Sequence, residues 1–216
     1  MTKRFADRTE AGLALAKRLT EYRDRDDVIV LGLPRGGVPI AAIVARSLNA
    51  PLDVIVVRKV GVPGRSEVAM GAIASIAGSI VTVQNVDVLR QLGGAGFGPA
   101  FDEVAARERT ELLRREREYR AGRAPVDVVG KTVILVDDGL ATGATMRAAI
   151  MALQPAGAAH VVVAVPVGAA DTCAELTNLV DEVVCVSMPD PFWAVGQAYS
   201  DFSQTSDEEV RRLLAS

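Results

Sequence analysis

The sequence predicts an α/β fold, a doubly wound and mostly parallel sheet flanked by helices, on three observations. Several strand-length runs are apolar without interruption, which suits strands buried on both faces rather than half-exposed ones. Stretches with helical character separate those runs. Glycines and small residues stand where a strand would hand over to a helix.

The elements follow in order. Val28–Leu33 (VIVLGL) reads as a buried strand, and after Gly36-Gly37 the stretch Val38–Leu48 reads as a helix. Leu52–Val57 is a second strand. Lys131–Val136 is the clearest of all, with TVILV unbroken after its threonine. A helix from about Ala144 to Leu153 follows it, then the strand Val161–Val165, a helix near Ala169–Thr177 and the strand Glu182–Val186. Three segments depart from that rhythm. Ala69–Gln84 carries Gly78-Ser79 between two apolar runs, as in a hairpin. Glu103–Arg123, with seven arginines and five glutamates, predicts a charged helix. Its apolar stripe (Val104, Leu112, Leu113, Tyr119) is thin, so it reads either as a solvated face laced with i,i+4 pairs or as a lid or subunit contact. Ser187–Ser216 is a tail that ends in the amphipathic stretch DEEVRRLLA.

Composition narrows the chemistry. A chain of 216 residues can bury one sizeable core and is expected to form one domain, residues 1–216, with its core at about 28–186. A net charge of −3 argues against nucleic-acid binding through bulk charge. Mean hydropathy is +0.24, yet no apolar run approaches the roughly 18 residues of a membrane span. The start, MTKRFADRTEAG, lacks the apolar stretch of a secretory signal, so a cytoplasmic protein is expected. Cys173, Cys185 and the single His160 cannot make a Cys/His zinc site or a histidine triad. Both cysteines read as buried and inert, and His160 as a strand-entry residue. Nine residues are aromatic, and Phe192, Trp193, Tyr199 and Phe202 fall within eleven positions.

The densest chemical signal is VILVDDGLATGAT, Val133–Thr145. A buried strand delivers Asp137 and Asp138 to the carboxyl edge of the sheet, where open α/β sheets bind ligands. The loop of small residues that follows, Ala141, Thr142, Gly143, Ala144 and Thr145, opens directly into a helix. Small side chains let an anion approach backbone N–H groups, and a helix N-terminus adds its positive dipole end. Two carboxylates above a phosphate-sized loop suit the vicinal hydroxyls and phosphate of a ribose 5-phosphate. The bland alternative is that Asp137-Asp138-Gly139 only caps a strand with turn residues.

This segment resembles the phosphoribosyl-diphosphate (PRPP) binding motif of the type I phosphoribosyltransferases. The resemblance implies that Asp137 and Asp138 hold the ribose 2′ and 3′ hydroxyls and that Ala141 through Thr145 hold the 5-phosphate. Leu33-Pro34-Arg35-Gly36-Gly37 stands where the family places its diphosphate loop, often R-G-G, with a non-proline cis peptide before the basic residue; here that bond is Pro34–Arg35. Arg35 supplies a forked cation suited to phosphate oxygens, and the glycines permit close backbone approach. Arg58-Lys59 through Glu67 reads either as an ordinary exposed loop or as a mobile lid, and the family places a flexible catalytic loop here. The resemblance covers roughly residues 28 to 202.

The implied reaction is displacement of diphosphate from C1 of ribose by a nitrogen nucleophile. Arg35, Arg58, Lys59 and the Gly36-Gly37 backbone are the candidates that stabilise the leaving group. Mg²⁺ is the expected cofactor, bound through PRPP, with no metal cage made by the protein itself. Glu67 or Glu182 is the candidate acid/base group. In 6-oxopurine members the loop position of Ala141 is an aspartate and the next strand carries a lysine; Val161–Val167 has none. An alanine at that position is closer to the adenine enzymes, without a further adenine signature. The tail MPDPFWAVGQAYSDF resembles the hood segment of the 6-oxopurine enzymes with one residue inserted. Either Phe192 or Trp193 then stacks on the base, or the aromatics pack the tail onto the domain. The hood would comprise about 187–216 and an N-terminal helix. The expected partners are PRPP and a small nucleobase-like acceptor, with a homodimer implied by analogy with other members. A PRPP-sensing regulator without turnover, or a hydrolase acting on PRPP, remain as alternatives.

Overall fold

The structure is a computed structural model and describes residues 4–63, 65–76, 78–91, 98–120 and 122–215, with the side chains of 65–67 and 87 outside the described set. Five parallel strands form the central sheet in the order β2-β1-β6-β7-β8. They are β1 (Val28–Gly32), β2 (Leu52–Val54), β6 (Thr132–Val136), β7 (His160–Val167) and β8 (Glu182–Ser187). The unbroken apolar runs have a direct cause, since alternate residues serve opposite faces. Val28, Val30, Ile134 and Val136 point to one side, where α1 (Arg8–Ala16) and α2 (Gly37–Leu48) cover them with Leu15, Ile40 and Val44. Ile29, Leu31, Val133 and Leu135 point to the other, against Met146 and Ile150 of α5 (Ala144–Leu153) and Leu176 of α6 (Ala170–Leu176).

A second, antiparallel sheet consists of β3 (Val56–Val62), β4 (Arg65–Ile76) and β5 (Ser79–Gln84). It corrects the sequence reading in two places. The single strand expected over Leu52–Val57 is divided: Ile55 N–H donates its last bond to Gly32 O of the parallel sheet, and from Val56 the chain pairs with Ser75 instead. Arg58 and Lys59, expected in a loop or lid, lie within β3 opposite Ile73 and Ala72. The hairpin expected around Gly78-Ser79 is present, with Gly78 at φ +76°. A short helix, α3 (Val86–Gln91), follows β5.

The charged helix is longer at its start than the sequence suggested. It is α4 (Gly98–Arg120), and it is not merely solvated. Phe101, Val104, Leu112 and Tyr119 are buried together against the antiparallel sheet and the C-terminal helix α7 (Asp207–Leu214). At its end Arg120 Nη1 reaches Asp53 of β2 at 2.8 and 3.1 Å, with both side chains almost completely enclosed. The outward face carries the expected i,i+4 pairs, among them Arg115–Glu111 at 2.7 Å.

The two ends of the chain meet. Phe5 N–H donates to Ala198 O and Ser200 N–H to Phe5 O, each at 2.8 Å, and the Phe5, Tyr199 and Phe202 rings pack in sequence. Among the described residues no helix is long and apolar enough to cross a membrane.

Candidate functional site

The strand order places the site. From the adjacent central strands β1 and β6 the chain proceeds outward in opposite directions, to β2 on one side and to β7 and β8 on the other. Loops leaving the carboxyl ends of β1 and β6 therefore diverge and open a crevice at the switch point. Leu33–Gly37 forms one wall and Asp137–Thr145 the other.

Close approach of these two loops depends on glycine. A Cβ at Gly36 would lie 1.9 Å from Asp138 Oδ2, and one at Gly37 would lie 2.5 Å from Val136 O and 2.8 Å from Asp137 Cα. Any side chain at these positions would displace the acids. The Pro34–Arg35 peptide is cis, as the motif resemblance implied.

The two acids are held differently. Asp137 Oδ1 accepts the Asp138 N–H at 2.8 Å. Part of Asp137 remains accessible, but the packing around its carboxylate, reinforced by the Asp138 charge, pushes its pKa well above the usual range. Burial also raises Asp138, against the opposing pull of Arg8. Arg8 reaches across from α1 and donates to Asp138 Oδ2 from Nε at 3.1 Å and from Nη2 at 2.8 Å. The Tyr199 hydroxyl donates to the Asp138 backbone carbonyl at 2.6 Å. Among the described residues, no donor reaches Asp137 Oδ2 or Asp138 Oδ1, and neither is a buried unsatisfied atom.

Below the acids, Gly143 adopts φ +66° at the start of α5, and no side chain caps that helix with a short bond. Its first-turn N–H groups therefore face the loop without intrahelical partners. The Thr172 hydroxyl of α6 donates to Ala141 O at 2.7 Å and steadies the loop from behind, while Ala141, Thr142 and Thr145 are exposed.

The β3 cations Arg58 and Lys59 form a separate group. Arg58 Nε donates to Glu108 of α4 at 2.6 Å. The side chains of Arg35 and Lys59 make no hydrogen bond or ion pair with a described residue, and Arg35 does not line the cavity that Lys59 shares. Arg58, Lys59, Arg107 of α4 and Thr145 line one cavity of about 440 Å³, so the Ala141–Thr145 loop and the β3 cations open onto a common space. No cluster of three His, Cys, Asp or Glu side chains suited to a metal occurs among the described residues.

Not every expected residue joins this site. The side chain of Glu67 lies outside the described residues. Glu182 stands at the amino end of β8, opposite the ligand edge, where it accepts the Tyr22 hydroxyl; an acid/base role there is overturned by position. Phe192 is half-buried against the core, whereas Trp193 is 77% exposed. Cys173 is buried but Cys185 only partly so, and both are free thiols. His160 begins β7, as expected, with Nδ1 3.6 Å from Asp181. Sequence reasoning missed Arg8 and Tyr199. The tail aromatics had drawn notice as a cluster, but nothing local to Arg8 marks a residue whose partner stands 130 positions away.

Comparison with known proteins fits this geometry. Residues 7–203 match the family model described as "Phosphoribosyl transferase domain". A Mycobacterium tuberculosis H37Rv protein, Rv0571c, provisionally named a phosphoribosyl transferase, is 49% identical over 98% of this chain. The match takes in 46% of that relative, so the chain spans about half the length of the curated relatives it matches so broadly. The bifunctional protein PyrR of Chloroflexus aurantiacus is 34% identical over 49% of this chain and 50% of its own length. Among solved structures, TT1426 from Thermus thermophilus superposes with a TM-score of 0.86, at 42% identity, over 98% of this chain and 97% of that one. With a family match over nearly its whole length and a parallel sheet whose switch point carries the paired acids, the chain belongs to the type I phosphoribosyl transferase domain family.

Proposed function

We propose that this protein transfers the ribose 5-phosphate of PRPP to a nitrogenous, nucleobase-like acceptor and releases diphosphate. The observation that carries this reading is the juxtaposition of two carboxylates, each with one oxygen that no described donor reaches, with a small-residue loop in which only the Ala144 N–H has a partner among the described residues, Thr142 Oγ1 at 3.5 Å. Asp137 Oδ2 and Asp138 Oδ1 would accept the 2′ and 3′ hydroxyls. The Ala141–Thr145 backbone, with the Thr142 and Thr145 hydroxyls, would hold the 5-phosphate. Arg35, Lys59 and Arg58 would take the diphosphate, whose charge grows as the bond to C1 breaks, together with the Gly36-Gly37 backbone. These groups hold ions and orient the ribose; none is placed to form a covalent intermediate.

Mg²⁺ bound through PRPP would neutralise part of the diphosphate charge, since phosphate oxygens suit a hard cation. Of the two tail aromatics Trp193 would be the one free to stack on a base, because it is exposed and Phe192 is half-buried against the core. In this reading residues 1–216 work as one unit, with the tail and N-terminal helix closing over the crevice.

The test is a screen for PRPP-dependent diphosphate release across purines, pyrimidines and amines, with Mg²⁺ present. Release with one acceptor class and not with water alone is the expected result. Release without any acceptor would mean hydrolysis, and PRPP binding with no release would mean a sensor.

A further inference from the structure

Arg8 lies in the first turn of a helix outside the central sheet, yet its guanidinium is fixed on three sides. It donates twice to Asp138 Oδ2, at 2.8 and 3.1 Å, and Nη1 donates to Ser203 O at 2.7 Å. Its Cζ lies 4.2 Å from the centre of the Phe202 ring. The pair is largely enclosed, with side-chain exposures of 13% and 15%. A surface ion pair of ordinary kind would show neither the enclosure nor the third and fourth contacts. A forked, stacked site of this kind uses the planar geometry that distinguishes arginine from lysine.

The contacts are also selective. Both donors go to Oδ2, the oxygen nearer Gly36, and no described donor reaches Oδ1. The Tyr199 hydroxyl fixes the same residue through its backbone carbonyl. The Asp137 carboxylate, by contrast, has only the Asp138 N–H as a hydrogen-bond partner among the described residues, and the two acids are adjacent in the chain.

We propose that Arg8 is a positioning residue: it turns one oxygen of Asp138 toward the ribose hydroxyls and couples that acid to the N-terminal helix and the aromatic tail. The inference rests on the ribose-binding reading of the acid pair. It adds that the hydroxyl-reading half of the site is completed by residues from both ends of the chain, through Arg8, Ser203 and Phe202. Arg8 itself touches no reacting atom. Its removal should weaken ligands that carry the vicinal hydroxyls and spare those that do not.

The experiment compares the binding of ribose 5-phosphate and of inorganic diphosphate, by calorimetry with Mg²⁺, to the wild-type protein, Arg8→Met and Arg8→Lys. Thermal melts verify that each variant is folded. Arg8→Met should weaken ribose 5-phosphate about 10- to 100-fold, the range for losing hydrogen bonds to a charged group, and leave diphosphate within about threefold. Arg8→Lys, which keeps the charge but not the fork or the stack, should recover part of the loss. Equal weakening of both ligands would reveal a merely structural role and overturn the proposal, as would unchanged ribose 5-phosphate binding in Arg8→Met. An Arg8→Met protein that does not fold leaves Arg8→Lys to decide by the same two-ligand ratio. Failure of the wild type to bind ribose 5-phosphate would instead overturn the ribose reading itself.

Discussion

The two halves of the crevice are built on opposite principles. On the side proposed to read the ribose hydroxyls, Asp138 is already compensated by Arg8 and fitted against Gly36, with its backbone held by Tyr199. On the side proposed to take the diphosphate, the Arg35 and Lys59 side chains make no hydrogen bond or ion pair with a described residue, and Arg58 is engaged by a single, partly exposed glutamate. Neutral hydroxyls bring little energy of their own, so the group that reads them has to be oriented beforehand. A diphosphate brings several charges, so its site gains by keeping cations unneutralised until it arrives. In the proposed reading the first half is preorganised in geometry and the second in electrostatics.

Three perturbations would break or sharpen that contrast, beginning with the largest effect. The cation half depends on α4, which is anchored to the parallel sheet by the enclosed Arg120–Asp53 pair. Arg120→Ala would leave Asp53 buried without its guanidinium and should cost about 3–5 kcal/mol of stability, read from denaturant unfolding. A loss below about 1 kcal/mol would mean that α4 is held by its apolar face alone.

Next, Arg35→Ala combined with Lys59→Ala should weaken diphosphate about 10- to 100-fold and flatten its dependence on salt, with ribose 5-phosphate altered only a few-fold. Parallel loss of both ligands would show that the crevice is not divided. The smallest effect is on stability and has the opposite sign. Burial and the Asp138 charge raise the Asp137 carboxyl, so the folded protein holds that proton longer than the unfolded chain does. Stability is then fullest below the unfolded value of about 4 and declines as pH rises through the elevated folded value. Asp137→Asn, which retains the Oδ1 acceptor, should stabilise the protein by about 0.5–2 kcal/mol at pH 7 and by nothing near pH 3. Equal effects at both pH values would argue against ionisation as the cause.

The same contrast explains what could be read from the sequence. The acid pair, the phosphate loop and the glycine loop are contiguous in the chain, and each sits at the end of a strand whose burial on both faces is written as an unbroken apolar run. Those elements formed where the residues predicted. The cation half was less legible because its strand leaves one sheet for another at Ile55, a change made by long-range pairing with Ser75 and not by any turn residue. An apolar-then-basic run such as Val56–Lys59 looks the same on either course. Arg8 was invisible for a related reason: its role depends on a partner 130 residues away and on a tail that folds back beside it. The tail aromatics were conspicuous by number, but which of them stack (Tyr199 on Phe5 and on Phe202) and which stands most exposed (Trp193) depends on contacts far apart in sequence.

The most direct test of the central claim is calorimetry of PRPP with Mg²⁺ on the wild-type protein and on the Asp137→Asn/Asp138→Asn double variant. If the acid pair reads the ribose hydroxyls, the wild type binds and the double variant loses about 100-fold or more in affinity, while inorganic diphosphate still binds at the cation half. Undiminished PRPP binding by the folded double variant would contradict the assignment.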